Sequence, residues 1–214
     1  MKLARPALAI ALGASLVIAG TADAKAKPKP KPLPCNMVTD PANDADIQGG
    51  VGNDDSLDIT SFDVASDDKK VTMVWRVKKA SLKSSVFPVG GIQWDANFDL
   101  GEFHLTYSVA SDGTTPTGIF SEQATGNANV LGFYPASVDT AKNEVHMTVP
   151  VSDFPARIKP GMVFSNFALD TANGKVVLST GVVDGSGGGL YGDSVAAPDS
   201  AYKAGAKNCV VVGK

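Results

Sequence analysis

The chain has 214 residues, a net charge of −3 and a nearly neutral mean hydropathy of +0.03. Residues 32–214 alone sum to −8, an acidic body that excludes the basic footprint of a nucleic-acid binder. Its 22 glycines and 13 prolines punctuate short apolar runs, and no amphipathic stretch reaches helical length, which excludes helical bundles and βαβ units.

Residues 1–24 have the form of a secretory signal peptide. Lys2 and Arg5 supply the positive start, residues 7–20 (ALAIALGASLVIAG) form an apolar run too short to span a bilayer comfortably, and Ala22-Asp23-Ala24 is a small-x-small cleavage site. No stop-transfer pattern follows, so no integral membrane anchor is expected. A lipid anchor on Cys35 is not expected either, because Cys35 follows Leu33-Pro34 well downstream of the apolar run. Residues 25–34 (KAKPKPKPLP) alternate Lys and Pro, which permits neither helix nor sheet ladder and predicts an extended polyproline-type linker. Its charge also suits a tether to an anionic cell-wall polymer or lipid headgroups. The expected product is a secreted protein, free or associated with the cell surface, with one folded domain over residues 35–214.

Export leads to an oxidising compartment, where two cysteines imply a disulfide rather than a redox or metal pair. Cys35 opens the domain and Cys209 lies near the C-terminus, so their pairing would enclose nearly all of it. In the chain-entropy model such a loop contributes about 5 kcal/mol at most.

The strands are predicted from alternation. Val71, Met73, Trp75 and Val77 set against Thr72, Arg76 and Lys78 describe a half-buried strand. Ile92, Trp94, Ala96 and Phe98 do the same against Gln93, Asp95, Asn97 and Asp99. Phe103, Leu105, Tyr107 and Val109 alternate with His104, Thr106 and Ser108, and Leu100-Gly101 makes these two strands a hairpin. Val145, Met147 and Val149 repeat the pattern, and 57–65, 130–138, 162–169, 175–183 and 210–212 are further strands. Eight or nine strands suit an all-β, two-sheet antiparallel β-sandwich, immunoglobulin-like in strand number. The one helical segment is a turn at 151–154 after Pro150, with Ser152 as its candidate cap and Pro155 as its stop.

The order of these signals resembles a family. Cys-Asn-x-Val-x-Asp-Pro at 35–41, Asp-Ser-Leu-Asp-Ile at 55–59, KKVTMVWRVKK at 69–79, NEVHMTVP at 143–150, and Asp193-Ser194-x-Ala196 and Tyr202-x-x-Gly205 before the last cysteine resemble uncharacterised exported proteins of actinobacteria. Their layout is similar to the β-sandwich of DOMON domains and family-nine carbohydrate-binding modules. The resemblance spans 35–214 and implies a jelly-roll-like sandwich that binds a sugar or, as in some DOMON relatives, haem.

Calcium is the best-supported ligand from the residues themselves. Asp44-x-Asp46-x-Gln48-Gly49, followed by Asp55, nearly fits an oxygen-ligand loop, with Gln48 and Asp55 as departures from its usual side chains. Asp58 adds a carboxylate nearby. Pro41 upstream and a strand downstream replace the helices of an EF-hand, and the competing expectation is that these residues only make solvated turns. The glycine string at 187–192 (GGGLYG) matches a dinucleotide fingerprint in letters alone, because Pro198 follows where a helix would have to begin.

No GxSxG elbow is present, His104 and His146 sit on solvent faces of different strands, and no spacing selects a carboxylate pair. The expectation is therefore a non-enzymatic binding or structural module, with an extracellular glycan hydrolase as the alternative and a haem-binding domain as the second. Trp75 and Trp94 are phased to the core, which removes the usual aromatic platforms for sugar. The remaining candidate ligand set is Arg76, Gln93, Asp95, Asn97 and His104, with Tyr191 at the rim and a glycan or cell-wall polymer as partner.

Overall fold

The computed structural model describes residues 35–45, 53–84, 91–124, 127–177, 182–184, 191–205 and 210–211. The signal and linker segments, 1–34, lie outside these, as does the glycine string before Tyr191. Among the described residues no helix is long and apolar enough to cross a membrane.

The fold is all-β and antiparallel. Its strands are β1 Cys35–Thr39, β2 Ile59–Ser66, β3 Lys70–Val77, β4 Gly91–Leu100, β5 Phe103–Ser111, β6 Pro116–Ala124, β7 Asn127–Asp139, β8 Glu144–Pro150, β9 Val163–Val177, β10 Val182–Asp184, β11 Tyr191–Lys203 and β12 Val210–Val211. They pair in the order β1-β2-β3-β8-β7-β6-β5-β4-β9-β11-β12, with β10 added beside β9. The sheet turns on β7, whose residues up to Pro135 pair with β6 and whose residues from Ala136 pair with β8. Pro135 sits where the strand changes partners, a position at which its missing N–H costs the ladder least. The sheet thereby curls until it is nearly closed: Ser200 of β11 donates its hydroxyl to the Met37 carbonyl of β1 at 2.6 Å.

The space inside is filled by the side chains that alternation places there. Phe62, Trp75, Trp94, Phe98, Tyr107, Phe120, Phe164, Phe167 and Tyr202 are all buried. Phe62 of β2 meets Phe167 of β9 with ring centroids 5.8 Å apart, and Phe98 stacks on Phe167 at 5.8 Å. Such contacts add about 0.5–1.5 kcal/mol each beyond area burial. The two indoles bridge the core, since Trp75 Nε1 donates to the Asp95 carbonyl at 3.2 Å and Trp94 Nε1 to the Ser56 carbonyl at 2.9 Å.

Four expectations need correction in detail. Twelve strands are found among the described residues rather than eight or nine, because β1, β6 and β11 lack clean apolar alternation. β6 carries Gly118 and a bulge at Phe120/Ser121, and β11 is built of small residues with a register break between Ala197 and Ala201 around Pro198. The segment 162–169 falls in one long strand, β9, which also takes the first residues of 175–183 up to Val177, while Val182 and Val183 fall in β10; the strand expected from Leu57 begins at Ile59. The turn after Pro150 is a 3-10 helix, Val151–Asp153, that Ser152 does not cap; its hydroxyl donates to Asp153 instead. The β4–β5 hairpin is as expected, with Leu100 opposite Phe103 and Gly101 at φ 65°, a left-handed conformation glycine adopts without strain.

Candidate functional site

Two groups of polar side chains stand out. The first is acidic and gathers three distant pieces of chain. Asp40 follows β1, and its N–H donates to the Thr60 carbonyl at 3.1 Å. The chain then turns through Asn43, which holds φ 80°, a conformation Asn tolerates better than most residues. That turn aims the Asn43 N–H at Asp58 Oδ2, 2.7 Å away, and leaves Asp44 exposed beside it. Asp58 is fully buried; Asn53 Nδ2 also donates to its Oδ2 at 3.2 Å, while its Oδ1 has no donor.

The third piece is β11. Gly192 passes so close to Leu57 that a Cβ there would lie 2.6 Å from the Leu57 Cβ. This approach lets buried Asp193 accept the Ile59 N–H at 2.8 Å through Oδ2. Carboxylate oxygens of Asp40, Asp44 and Asp193 all lie within 4.8 Å of one another. Burial, and then repulsion from Asp193, Asp44 and Asp58, pushes the Asp40 carboxyl up to about 6. Asp193 is raised as well, first by burial and then by Asp44 and Asp58, against the pull of the Ile59 N–H.

Asp44 and Asp58 of the predicted calcium loop are thus together, joined by Asp40 and Asp193. Asp55 turns away, accepting from Lys78 Nζ at 2.5 Å, and Asp46 and Gln48 lie outside the described residues. Spacing alone could not find Asp193, more than a hundred residues downstream. The backbone of Cys35 pairs with Val64, but its pairing with Cys209 falls outside the described residues.

The second group lies on the outward face of β4 and its neighbours. In register across the sheet stand Ser194, Asp170, Asp95, Ser108, Ile119 and Phe133, from β11, β9, β4, β5, β6 and β7. Residues directly opposite in antiparallel strands share a face. The row ends on Phe133, a large apolar side chain left 54% exposed. Ser194 Oγ donates to Asp170 Oδ1 at 2.8 Å and Asn97 Nδ2 to Asp170 Oδ2 at 3.1 Å. Thr106 Oγ1 donates to Asn97 Oδ1 at 2.7 Å, and Gln123 Nε2 to Thr106 Oγ1 at 3.1 Å. Gln93 Nε2 reaches both oxygens of Asp95 at 2.9 and 2.8 Å, which leaves the buried Gln93 Oε1 without a donor. Asp95 is raised to about 6, by burial first and by the facing Asp170 in smaller part, although Ser108 and Gln93 donate to it.

Of the predicted ligand set, Gln93, Asp95 and Asn97 share this face, together with Thr106. His104 sits at its edge, its Nδ1 2.5 Å from Asp99 Oδ1. Arg76 does not join them: on β3 it is ion-paired with Asp63 at 2.5 Å and Glu144 at 3.1 Å. Tyr191 is placed by its backbone alone, opposite Ala172. Sequence reasoning missed Asp170, Ser194 and Phe133; alternation at 130–138 did mark a strand, but not which face Phe133 would take. Comparison with protein-family models and with curated proteins finds no match to this chain.

Proposed function

We propose that the chain is an exported, non-catalytic binding module that holds a hydroxyl-rich polymer, of the glycan or cell-wall type, on the outward face of β11, β9, β4, β5, β6 and β7. The observation that carries this reading is the cross-strand row from Ser194 to Phe133, in which Ser194, Asp170, Asp95 and Ser108 carry hydrogen-bonding side chains, buried Ile119 follows, and Phe133 ends the row as an exposed aromatic ring. A sugar fits such a row because its hydroxyls pair with amides and carboxylates while its C–H faces stack on an aromatic side chain.

The nearly closed sheet is proposed to be a two-layered sandwich. One layer is β1-β2-β3-β8 and the other β12-β11-β9-β4-β5-β6, with β7 bending from one to the other; the Trp75 to Asp95 and Phe62 to Phe167 contacts between them support it. Export is proposed from the signal-like N-terminus, and with it a Cys35–Cys209 disulfide. That pairing is supported by β1, which begins at Cys35 and meets β11 at Met37, and by β12, which begins one residue after Cys209 and pairs with β11 at Ser200 and Ala201.

The test is co-sedimentation of the purified domain with insoluble polysaccharides and cell-wall preparations. Wild type is expected to pellet with at least one of them, and Phe133→Ala, which alters only an exposed side chain, to bind about tenfold more weakly, the loss of one stacking contact of about 1.4 kcal/mol. No retention on any polymer would overturn the reading.

One observation favours a glycan hydrolase as the second reading. Asp95 and Asp170 are directly opposite, and cross-strand Cβ atoms lie about 4.5–5.5 Å apart, near the separation of about 5–5.5 Å between the two carboxyls of retaining glycosidases. Asp95, held near 6, would be the acid. Release of reducing ends by wild type, lost in Asp170→Asn, would replace the binding reading with this one.

A further inference from the structure

We infer that Asp40, Asp44, Asp58 and Asp193 bind one calcium ion, which fastens β11 to the β1–β2 corner. This inference does not rest on the glycan reading. Hard cations take oxygen ligands, and calcium holds six to eight of them at about 2.3–2.6 Å, so two ligands of one ion can stand no more than about 5 Å apart. The oxygens of Asp40, Asp44 and Asp193 lie within 4.8 Å of one another and meet that limit.

The independent observation is Asp58. It is 0% exposed, and its Oδ1 has no hydrogen-bond partner among the described residues. An ionised, buried oxygen without a partner costs several kcal/mol, so native structures give such groups a hydrogen bond or a cation. Asp58 borders the three-carboxylate group: its Oδ2 takes the N–H of Asn43, next to Asp44, and the N–H of the following residue, Ile59, goes to Asp193. Its charge bears on both Asp40 and Asp193.

Two of the ligands are already oriented. Asp58 and Asp193 each spend Oδ2 on backbone N–H groups, which leaves one oxygen of each for an ion. No basic side chain pairs with any of the four carboxylates among the described residues; Lys78 is taken by Asn43 Oδ1 at 2.7 Å and by Asp55. Among the described residues, amines do not supply the balancing charge. Calcium suits the site better than magnesium, because ligands from a loop, a strand end and a distant strand give an irregular shell rather than a near-ideal octahedron.

The test is isothermal titration of the chelator-stripped full chain with calcium chloride, paired with thermal melts in calcium and in chelator. Wild type is expected to bind one calcium per chain and to melt several degrees higher in millimolar calcium, with a smaller rise in equimolar magnesium. Asp44→Asn should weaken calcium at least tenfold without lowering the melt in chelator, because Asp44 is exposed and its charge only repels Asp40 and Asp193 when no cation is bound. Asp58→Asn should abolish binding and should not lower the melt in chelator, since it removes a buried charge that calcium no longer offsets. Equal wild-type midpoints in calcium and chelator, with no binding heat, would overturn the inference. So would an Asp44→Asn variant that binds as tightly as wild type. Polysaccharide retention in chelator separates this outcome from that of the glycan reading.

Discussion

Asp193 and Ile59 are joined by a 2.8 Å hydrogen bond from the Ile59 N–H to Asp193 Oδ2, across 134 residues of sequence. The bond is buried and ties the start of β2 to β11, on the far side of the sheet order. Asp193→Ala should leave that N–H without an acceptor and cost about 1–3 kcal/mol in denaturant melts run in chelator. Asp193→Asn keeps an acceptor and should cost clearly less. Equal losses in the two variants would mean that the hydrogen bond contributes nothing.

Gly192 makes this approach feasible. A Cβ there would sit 2.6 and 2.7 Å from Leu57 Cβ and Cδ1, and Leu57 is fully buried with no room to retreat. Gly192→Ala should therefore destabilise by about 1–3 kcal/mol through overpacking, read from the urea midpoint. The Leu57→Ala background should recover part of that loss, an interaction a double-mutant cycle measures.

The hairpin and the core were legible because β3, β4, β5 and β8 alternate strictly, and a period of two fixes which face each side chain takes. Trp75 and Trp94 were placed in the core on that ground, and both are buried. β11 was not legible. Its Tyr-Gly-Asp-Ser-Val-Ala-Ala-Pro run has little apolar character of its own and becomes a strand only through pairing with β9. The acidic corner was half legible for the same reason: Asp44 and Asp58 are near in sequence, whereas Asp193 arrives by tertiary contact. Asp170 and Phe133 entered the outward row only once the pairing of β9, β6 and β7 was known.

Asp95 gives a pH-dependent prediction. Its carboxyl is raised to about 6 in the folded chain, chiefly by burial, against about 3.9 when unfolded. The folded state then binds the proton more tightly, so its contribution is fully present below about pH 4 and is lost as pH rises through about 6. Asp95→Asn removes that dependence. In chelator, the stability of wild type relative to Asp95→Asn should fall by about 2 kcal/mol between pH 4 and pH 7. A constant difference across that window would contradict the assignment.

Trp94 anchors the loop before β2 through its bond to the Ser56 carbonyl. Trp94→Phe should cost about 2–3 kcal/mol, combining a lost hydrogen bond with a small cavity. With both indoles buried, the wild-type tryptophan emission should be blue-shifted and insensitive to acrylamide, and it should not respond to added polysaccharide. Quenching by acrylamide would place an indole at the surface.

The proposed binding face is tested most directly by amide chemical-shift mapping of the labelled domain titrated with solubilised cell-wall glycan. The account predicts saturable shifts centred on Gln93, Asp95, Ser108, Phe133 and Asp170, with none at the buried aromatic core and no cleavage products in the glycan spectrum. Shifts absent throughout, or confined to residues outside the row from Ser194 to Phe133, would contradict it.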